Sequence, residues 1–517
     1  MYSAFPSKNP YEVFSFQEFW SLQSATFLSF YFILFVFALA AFYYAAPRKF
    51  RWIVLLAGSA AFYAVAGLLP FLTVTLSAAL TWAAALSIED IGKEERRLQK
   101  ILLASAVVVL LAVLTFGKLW RLFGWNIPYI VPLGISYYTF SAIAYLADVY
   151  WGRDMAERNF FKLALFLLWF PKILQGPISR RKTLGPQLTR GNRFDYEGFC
   201  FGMQLSVWGY MKKMVLADRI ALFTGTIFAS PDSYGGAMLF LAAVLSTAQL
   251  YCDFSGCMDI AGGVSEMFGI RLEKNFNRPF FSRSASEFWR RWHITLGTWF
   301  KDYVYMPLAT SPSFIRLFGK VSGRFGKRVG KTFMVALPLA AVWLLTGLWH
   351  GTGVNYVVWG LYWGLLIIVS TALAPEFRKL KRLLRIDEKS DWWRRVQMIR
   401  TFLLFCASRI LVIPENLAVS GGIFRTILTD SRPWEMTDGT LFRQGLSSLE
   451  FFITLLMIAL LWHVETQQEK GVEIRKRIAG WPLVIRCAFY ALSLLFILIF
   501  GIYGPSYGIT SFVYMQF

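Results

Sequence analysis

Apolar stretches recur along almost the whole chain, and this recurrence limits its fold more than any other feature. They cover about 24–46, 52–67, 70–89, 101–117, 131–149, 160–176, 198–222, 236–254, 333–348, 354–374, 398–414, 449–464 and 482–503. A helix that crosses a bilayer upright needs ~20 apolar residues, so several of these are too short. The pattern predicts roughly ten to twelve true spans, the remainder being re-entrant or interfacial. Of the 517 residues 56% are hydrophobic and 16% charged, more apolar than a soluble globular chain. One polytopic membrane unit is expected, not a string of soluble domains.

Charge supports the same reading. Lys and Arg number 53 against 31 Asp and Glu, a formal net charge of +22. In a soluble chain that excess would suggest nucleic acid. Here the cations fall in short clusters between apolar segments: Arg48, Lys49 and Arg51; Arg96, Arg97 and Lys100; Lys327, Arg328 and Lys331; Lys379, Lys381, Arg382 and Arg385; Arg475, Lys476 and Arg477. Such clusters mark loops held on the cytoplasmic face beside anionic lipid, so no nucleic-acid partner is expected. The five cysteines mostly lie in apolar surroundings and imply neither a disulfide framework nor a metal site.

With Arg48–Arg51 inside, the amino terminus and the Gly67–Pro70 turn fall outside and the 90–100 loop inside. Continued alternation would put Arg180, Arg181 and Lys182 outside. A segment over 160–176 that turns back before crossing removes the conflict, and Gly176 and Pro177 supply the break. Irregular backbone at membrane depth is tolerated only where protein or a watery cavity surrounds it, so a cavity-containing interior follows. Residues 1–23, with Phe14, Phe16, Phe19 and Trp20 among polar neighbours, lack the layout of a signal peptide and read as an interfacial segment. Residues 269–332 form the longest weakly apolar stretch. Their alternation of Phe288, Trp289, Trp292 and Trp299 with Arg290, Arg291, His293 and Lys301 predicts helices lying at the interface with snorkelling cations. No fixed-period repeat is evident, which speaks against an inverted-repeat transporter.

The chain has three histidines. His463 ends Leu460-Leu461-Trp462-His463 and reads as a polar tip at the interface. His350 stands between glycines in Gly347-Leu348-Trp349-His350-Gly351-Thr352-Gly353, where small residues admit a substrate. Imidazole suits proton transfer near neutral pH, and a polar group at this depth is costly unless used or paired, so catalytic and structural roles are both open. His293 follows Trp289 by four residues, which would place the two on one helical face. On those residues alone it reads as a stacked, satisfied histidine.

Acids inside apolar segments, Asp148, Asp253 and Asp259, either face a cavity or pair with a cation. For Asp253 an interhelical pair with one of the nearby arginines and a tunnel-lining role are both open. No phosphate-binding glycine loop, zinc-protease helix or Gly-x-Ser-x-Gly elbow occurs, which excludes a self-contained ATPase or serine hydrolase of those types.

Three stretches, taken together, resemble a known family. They are Pro132-Leu133-Gly134-Ile135-Ser136-Tyr137-Tyr138-Thr139-Phe140 with Tyr145-Leu146-Ala147-Asp148-Val149-Tyr150; Asp253-Phe254-Ser255-Gly256 through Asn275-Phe276-Asn277-Arg278-Pro279-Phe280 to Glu287-Phe288-Trp289-Arg290-Arg291-Trp292-His293; and Gly347-Leu348-Trp349-His350-Gly351. They resemble membrane-bound O-acyltransferases of the bacterial cell-envelope branch, which includes the membrane subunit of alginate O-acetylation and the D-alanyl transfer protein of teichoic acid modification.

The resemblance implies an all-α polytopic membrane protein, a ring of spanning helices with short re-entrant and interfacial helices around a central tunnel. It implies an interfacial segment 1–23, an acyltransferase core 24–414, and a C-terminal loop with closing helices over 415–517. His350 is implied as the catalytic histidine and His293 as the second functional one. Asn275, Asn277, Trp349, Gly351 and Asp253 are tunnel candidates, the two asparagines having turn formation as their alternative. No bound cofactor or metal is implied. The co-substrate is a cytoplasmic thioester, acyl-CoA or an acylated carrier protein, and the acceptor is an extracytoplasmic polysaccharide or secreted partner. The setting is the bacterial cytoplasmic membrane. D-alanyl transfer, a transporter of an envelope precursor and a non-catalytic scaffold are the competing readings.

Overall fold

The computed structural model describes residues 27–92, 94–119, 133–351 and 353–502. The interfacial segment expected over 1–23 lies outside them. Helices are the regular elements, and no strand occurs among the described residues.

The first four helices are α1 (Phe30–Ala45), α2 (Arg51–Ala64), α3 (Leu68–Asp90) and α4 (Arg96–Leu119). Gly67, at φ 111°, makes the turn between α2 and α3 in a conformation that a side chain would resist. After α5 (Ile135–Tyr150) come three short helices, α6 (Phe160–Leu168), α7 (Phe170–Ile173) and α8 (Arg181–Thr189). Helix α9 (Tyr196–Tyr210) runs through a π-helical turn, Met211–Ala217, into α10 (Asp218–Ala229). The longest helix is α11 (Gly236–Met267), followed by α12 (Ala285–Arg291) and α13 (Ile294–Phe300). The rest are α14 (Pro312–Phe325), α15 (Lys327–His350), α16 (Val354–Ala372), α17 (Ala374–Leu383), α18 (Asp391–Val412), α19 (Leu417–Thr429), α20 (Ser448–Glu469), α21 (Ile474–Ala479) and α22 (Leu483–Phe500).

Seven of these, α3, α4, α11, α15, α16, α20 and α22, are long and apolar enough to cross a membrane. The chain is a multi-pass membrane protein. The other apolar segments fold into shorter helices, into the more charged α18 or, as at α9 to α10, into helix interrupted by a π-turn. Small residues let α9 and α11 cross closely: a Cβ on Gly202 would lie 2.5 Å from the Gly263 carbonyl oxygen, and one on Gly209 2.6 Å from that of Gly256. Close approach of this kind replaces the hydrophobic force that lipid removes.

Ion pairs define two faces. On the basic face Arg51 bonds the Asn192 carbonyl, Arg158 meets Glu89 at 2.8 Å and Asp90 at 3.0 Å, and Arg475 meets Glu266 at 2.6 Å. On the opposite face Gly236 and Ala237 donate to the carbonyls of Asp430 and Ser431, and Arg219 reaches Glu450 at 2.9 Å.

Residues 160–182 leave and rejoin the basic face, as the basic cluster at 180–182 required. Asn159 caps α6 through the Lys162 amide, and the Phe170–Ile173 turn packs Ile173 against Gly134. Gly176 sits so close to Lys172 that a Cβ would lie 2.1 Å from its Cα. The chain returns where Arg181 pairs with Asp154, at 3.0 Å, and with Glu157. Both acids precede the segment, so its ends share one face.

The expectation for 269–332 needs correction. The aromatic residues of α12 do not lie at an interface: Phe288 is fully buried and Trp292 nearly so. Trp289 stands 4.8 Å from Trp343 and 5.2 Å from Trp363, and Trp292 4.9 Å from Phe405, between ring centroids. Aromatic contacts are worth about 0.5–1.5 kcal/mol per pair, and several of them per ring outweigh its preference for the headgroup level. Only the basic side of α12 reaches the surface, where Arg291 meets Glu469 at 3.1 Å.

Cysteines placed singly at Met155, Lys182 and Trp434 in a cysteine-free background test this topology. Met155→Cys and Lys182→Cys should react with an impermeant maleimide from one side and Trp434→Cys from the other. Labelling of the first two from different sides would mean that residues 160–180 cross.

Candidate functional site

The two motif histidines come together through irregular backbone. Helix α12 stops at Arg291, Trp292 is extended, and His293 adopts φ 45°, ψ 50° as the residue before α13. His293 and Trp289 therefore do not share a helical face. A left-handed non-glycine residue costs of order 1–3 kcal/mol and persists where its surroundings over-determine it.

Asn275 does this. Its carbonyl accepts from the Ile294 amide at 3.0 Å, and its Oδ1 accepts from both the Thr295 amide, 3.1 Å, and the Thr295 hydroxyl, 2.6 Å. The Thr295 hydroxyl in turn accepts from the Ile178 amide at 3.1 Å, which ties the re-entrant turn to the histidine. The Asn277 amide donates to the Arg291 carbonyl at 2.9 Å, closing the end of α12. Asn275 and Asn277 thus do the turn-forming work weighed for them, and they also line a cavity.

The His293 ring stands 4.8 Å from Phe254, 5.8 Å from Trp349 and 6.4 Å from Tyr137. His293 lies outside the seven spanning helices, and burial pushes its imidazole below the ordinary histidine range, so it is neutral. Beyond Trp349, at 4.8 Å, is the ring of His350, itself 4.8 Å from Trp359. Trp349 is therefore in ring contact with both histidines.

His350 is the last residue of α15 and is half-buried. A tight crossing of α15 and α16 holds it there: a Cβ on Gly347 would lie 2.5 Å from the Tyr356 carbonyl oxygen, and one on Gly360 2.4 Å from that of Trp343. The space beside Gly351 is filled by the Tyr356 ring, 2.2 Å from where a Cβ would be. Gly351 therefore makes room for Tyr356 and does not border an open groove. His463 is exposed on α20.

A cavity of about 700 Å³ opens on the basic face. It follows one face of α11 through Tyr251, Ser255, Met258, Asp259, Gly262 and Glu266, about 22 Å at ~1.5 Å per residue. Asn275 and Asn277 stand in its wall, and Arg271, Lys274 and Arg278 are among its cations. Asp253 instead sits in the protein interior, its carboxylate 2.6 Å from Lys213, which also meets Asp218 at 2.7 Å. Of the two alternatives for Asp253 an ion pair is the one formed, but its partner is Lys213 and not the arginine expected.

The cavity wall also holds polar groups that the sequence reading passed over. Lys212 meets Asp259 at 2.6 Å and Ser255 at 2.9 Å, and Tyr251 donates to Glu465. The available signal was Lys212-Lys213 inside the apolar 198–222 segment and Glu465 at the end of the apolar 449–464 segment. Cations and acids in such places mark a path or a pair.

Residues 153–319 match the family model described as MBOAT, membrane-bound O-acyltransferase family. A probable alginate O-acetylase, AlgI, of Azotobacter vinelandii is 33% identical over 435 residues, 80% of this chain and 79% of that protein. A peptidoglycan O-acetyltransferase of Helicobacter pylori is 33% identical over 51% of this chain and 52% of its own length. A teichoic acid D-alanyltransferase of Bacillus subtilis is 27% identical over 58% and 75%.

If the Asn275–Thr295–Ile178 junction sets the position of His293, Thr295→Val should lower turnover about a hundredfold, the usual effect of misplacing a reacting group by ~1 Å. Thr295→Ser keeps the hydroxyl and should stay within about threefold of the parent. Equal losses in both variants, with unchanged melting temperature, would remove the junction from the site.

Proposed function

The chain belongs to the membrane-bound O-acyltransferase family and is an O-acyltransferase, and we propose that it moves an acyl group, acetyl in our reading, from a cytoplasmic thioester to a hydroxyl outside the bacterial cytoplasmic membrane. The acceptor is a cell-envelope polysaccharide or a partner protein. The observation that carries this is the row His293–Trp349–His350, with His293 clamped by a residue of the basic-face cavity and His350 at the far end of a helix that starts at the basic Lys327.

The positive-inside rule makes the basic face cytoplasmic. A thioester entering the cavity on a long, slender arm runs along α11 toward Asn275. His350 takes the proton of the acceptor hydroxyl as its oxygen attacks the thioester carbonyl, a contribution of about 10² to 10⁴ in rate. The tetrahedral intermediate then collapses, the C–S bond breaks, and the thiolate recovers the proton from His350. A ring N–H of neutral His293 donates to the oxyanion, a type of contact whose loss costs about 10² to 10³. No bound cofactor takes part. The choice of acetyl is supported by relatives named as O-acetylase and O-acetyltransferase. D-alanyl transfer uses the same steps, and mass spectrometry of envelope polymers with and without the gene distinguishes the two.

His350→Ala should lower acyl transfer at least about a hundredfold, with membrane insertion, melting temperature and donor binding unchanged. Activity above about a tenth of the parent would refute the general-base role.

A further inference from the structure

A second cavity, of about 430 Å³, opens on the basic face beside the first, and the two share Glu266 and Arg271. The reaction steps above make no use of it. Its wall carries Arg190, Arg193 and Arg271, and none of the three pairs with a carboxylate among the described residues. The two acids beside them are engaged: Glu266 meets Arg475 at 2.6 Å, and Asp195 caps α9 by accepting from the Glu197 amide at 3.1 Å. Positive charge therefore prevails.

Arg190 and Arg271 are anchored, and Arg193 lies exposed beside them. The Arg271 amide donates to the Gln187 side chain at 2.9 Å, and the Gln187 amide group donates back to the Arg271 carbonyl at 3.3 Å. Asn192 accepts from Arg190 Nε at 2.5 Å and donates to the Phe268 carbonyl at 3.1 Å. Gly269, at φ 71°, passes under Asn192, where a Cβ would lie 2.9 Å from the Asn192 Cβ. The Arg190 guanidinium is thus held through its Nε and Arg271 at its backbone, and the planar guanidinium fork is suited to bidentate contact with phosphate.

Position completes the argument. The first cavity runs along α11, and the arginine cavity adjoins it at Glu266 and Arg271. A ligand with a slender arm and an anion at its outer end fits both. Thioester donors have this form, because the pantetheine arm ends in a phosphate ester whether a nucleotide or a carrier protein bears it. We propose that Arg190, Arg193 and Arg271 form a phosphate-binding site that holds the outer end of the donor's pantetheine arm and so sets how far the thioester reaches. This rests on the first cavity being the donor's.

The test is binding of pantetheine, 4′-phosphopantetheine and coenzyme A to the purified full-length protein, and to its Arg190→Gln/Arg193→Gln/Arg271→Gln variant. In the parent the phosphate should add at least about tenfold in affinity. The variant should lose that gain and keep its affinity for pantetheine, which also reports an intact first cavity. No gain in the parent, or a gain that survives the variant, overturns the phosphate site and leaves the donor reading standing. Failure of all three compounds to bind the parent refutes the donor reading, and this site with it. If the triple variant fails to fold, Arg193→Gln, on the exposed rim, gives the same comparison with a smaller expected loss. A further gain of about tenfold from phosphopantetheine to coenzyme A identifies a nucleotide donor, and equal binding a carrier-borne arm; either result upholds the site.

Discussion

The hydrogen-bonded junction of Ile178, Thr295 and Asn275 joins the two stretches of irregular backbone on which the centre of the protein depends. A bilayer interior offers no water to unpaired amides, so a chain that turns back at membrane depth must find partners within the protein. The returning limb of the re-entrant segment meets that demand at Thr295, and Thr295 meets its own at Asn275. Each bond contributes about 1 kcal/mol net, but an orphaned buried donor would cost about 1–3 kcal/mol. The left-handed His293 and the re-entrant turn are thus held by one set of donors and acceptors, and neither would keep its geometry without the other.

Charge does comparable work at two depths. At the basic face, Arg180 with Asp302, Arg181 with Asp154 and Arg278 with Glu469 fasten separate segments to one another. Arg180–Asp302 and Arg278–Glu469 are partly exposed and act mainly by fixing register, whereas Arg181 and Asp154 are mostly buried, so losing either would strand the other. Deeper, Lys213 is almost wholly buried between Asp253 and Asp218. Removing one member of a buried group strands the others, which is the costly event. The π-turn at Met211–Ala217 carries both Lys212 and Lys213 toward α11, and Phe254, next to Asp253, forms one wall of the His293 pocket. A structural ion pair and a functional ring contact therefore share one turn of helix.

Much of this was legible in the sequence because bilayer thickness and charge asymmetry are strong constraints. Apolar runs gave the class of fold, and the misplaced basic cluster at Arg180–Lys182 exposed the re-entrant segment. The motif around His350 was legible for its glycines, although Gly351 serves a ring contact and not an open groove. Local pattern misled where tertiary contact overrode it. Alternating Trp and Arg in α12 has the signature of an interfacial helix, and only Trp343, Trp359, Trp363 and Phe405, far away in sequence, explain why it is buried. Spacing likewise put His293 and Trp289 on one helical face, because nothing local reveals that α12 ends two residues before the histidine. The Lys213–Asp253 pair was open to either reading until the partner was known.

The order of the central residues bears on how an acyl group would pass a membrane. A carrier must expose its site alternately to two faces, which requires two stable packings of the same helices. Here the groups between the faces are aromatic rings in close contact: Trp349 touches Phe140 and Tyr137 as well as both histidines, and Phe140 stacks on Trp299 at 4.1 Å while its carbonyl accepts from the Trp299 indole. Repacking such a cluster would forfeit many contacts at once, and cores of this density do not deform continuously. A fixed centre suits a reaction in which only a small group changes hands. In the proposed reaction the donor and the acceptor would each approach this centre from its own side, with Trp349 in ring contact with both histidines.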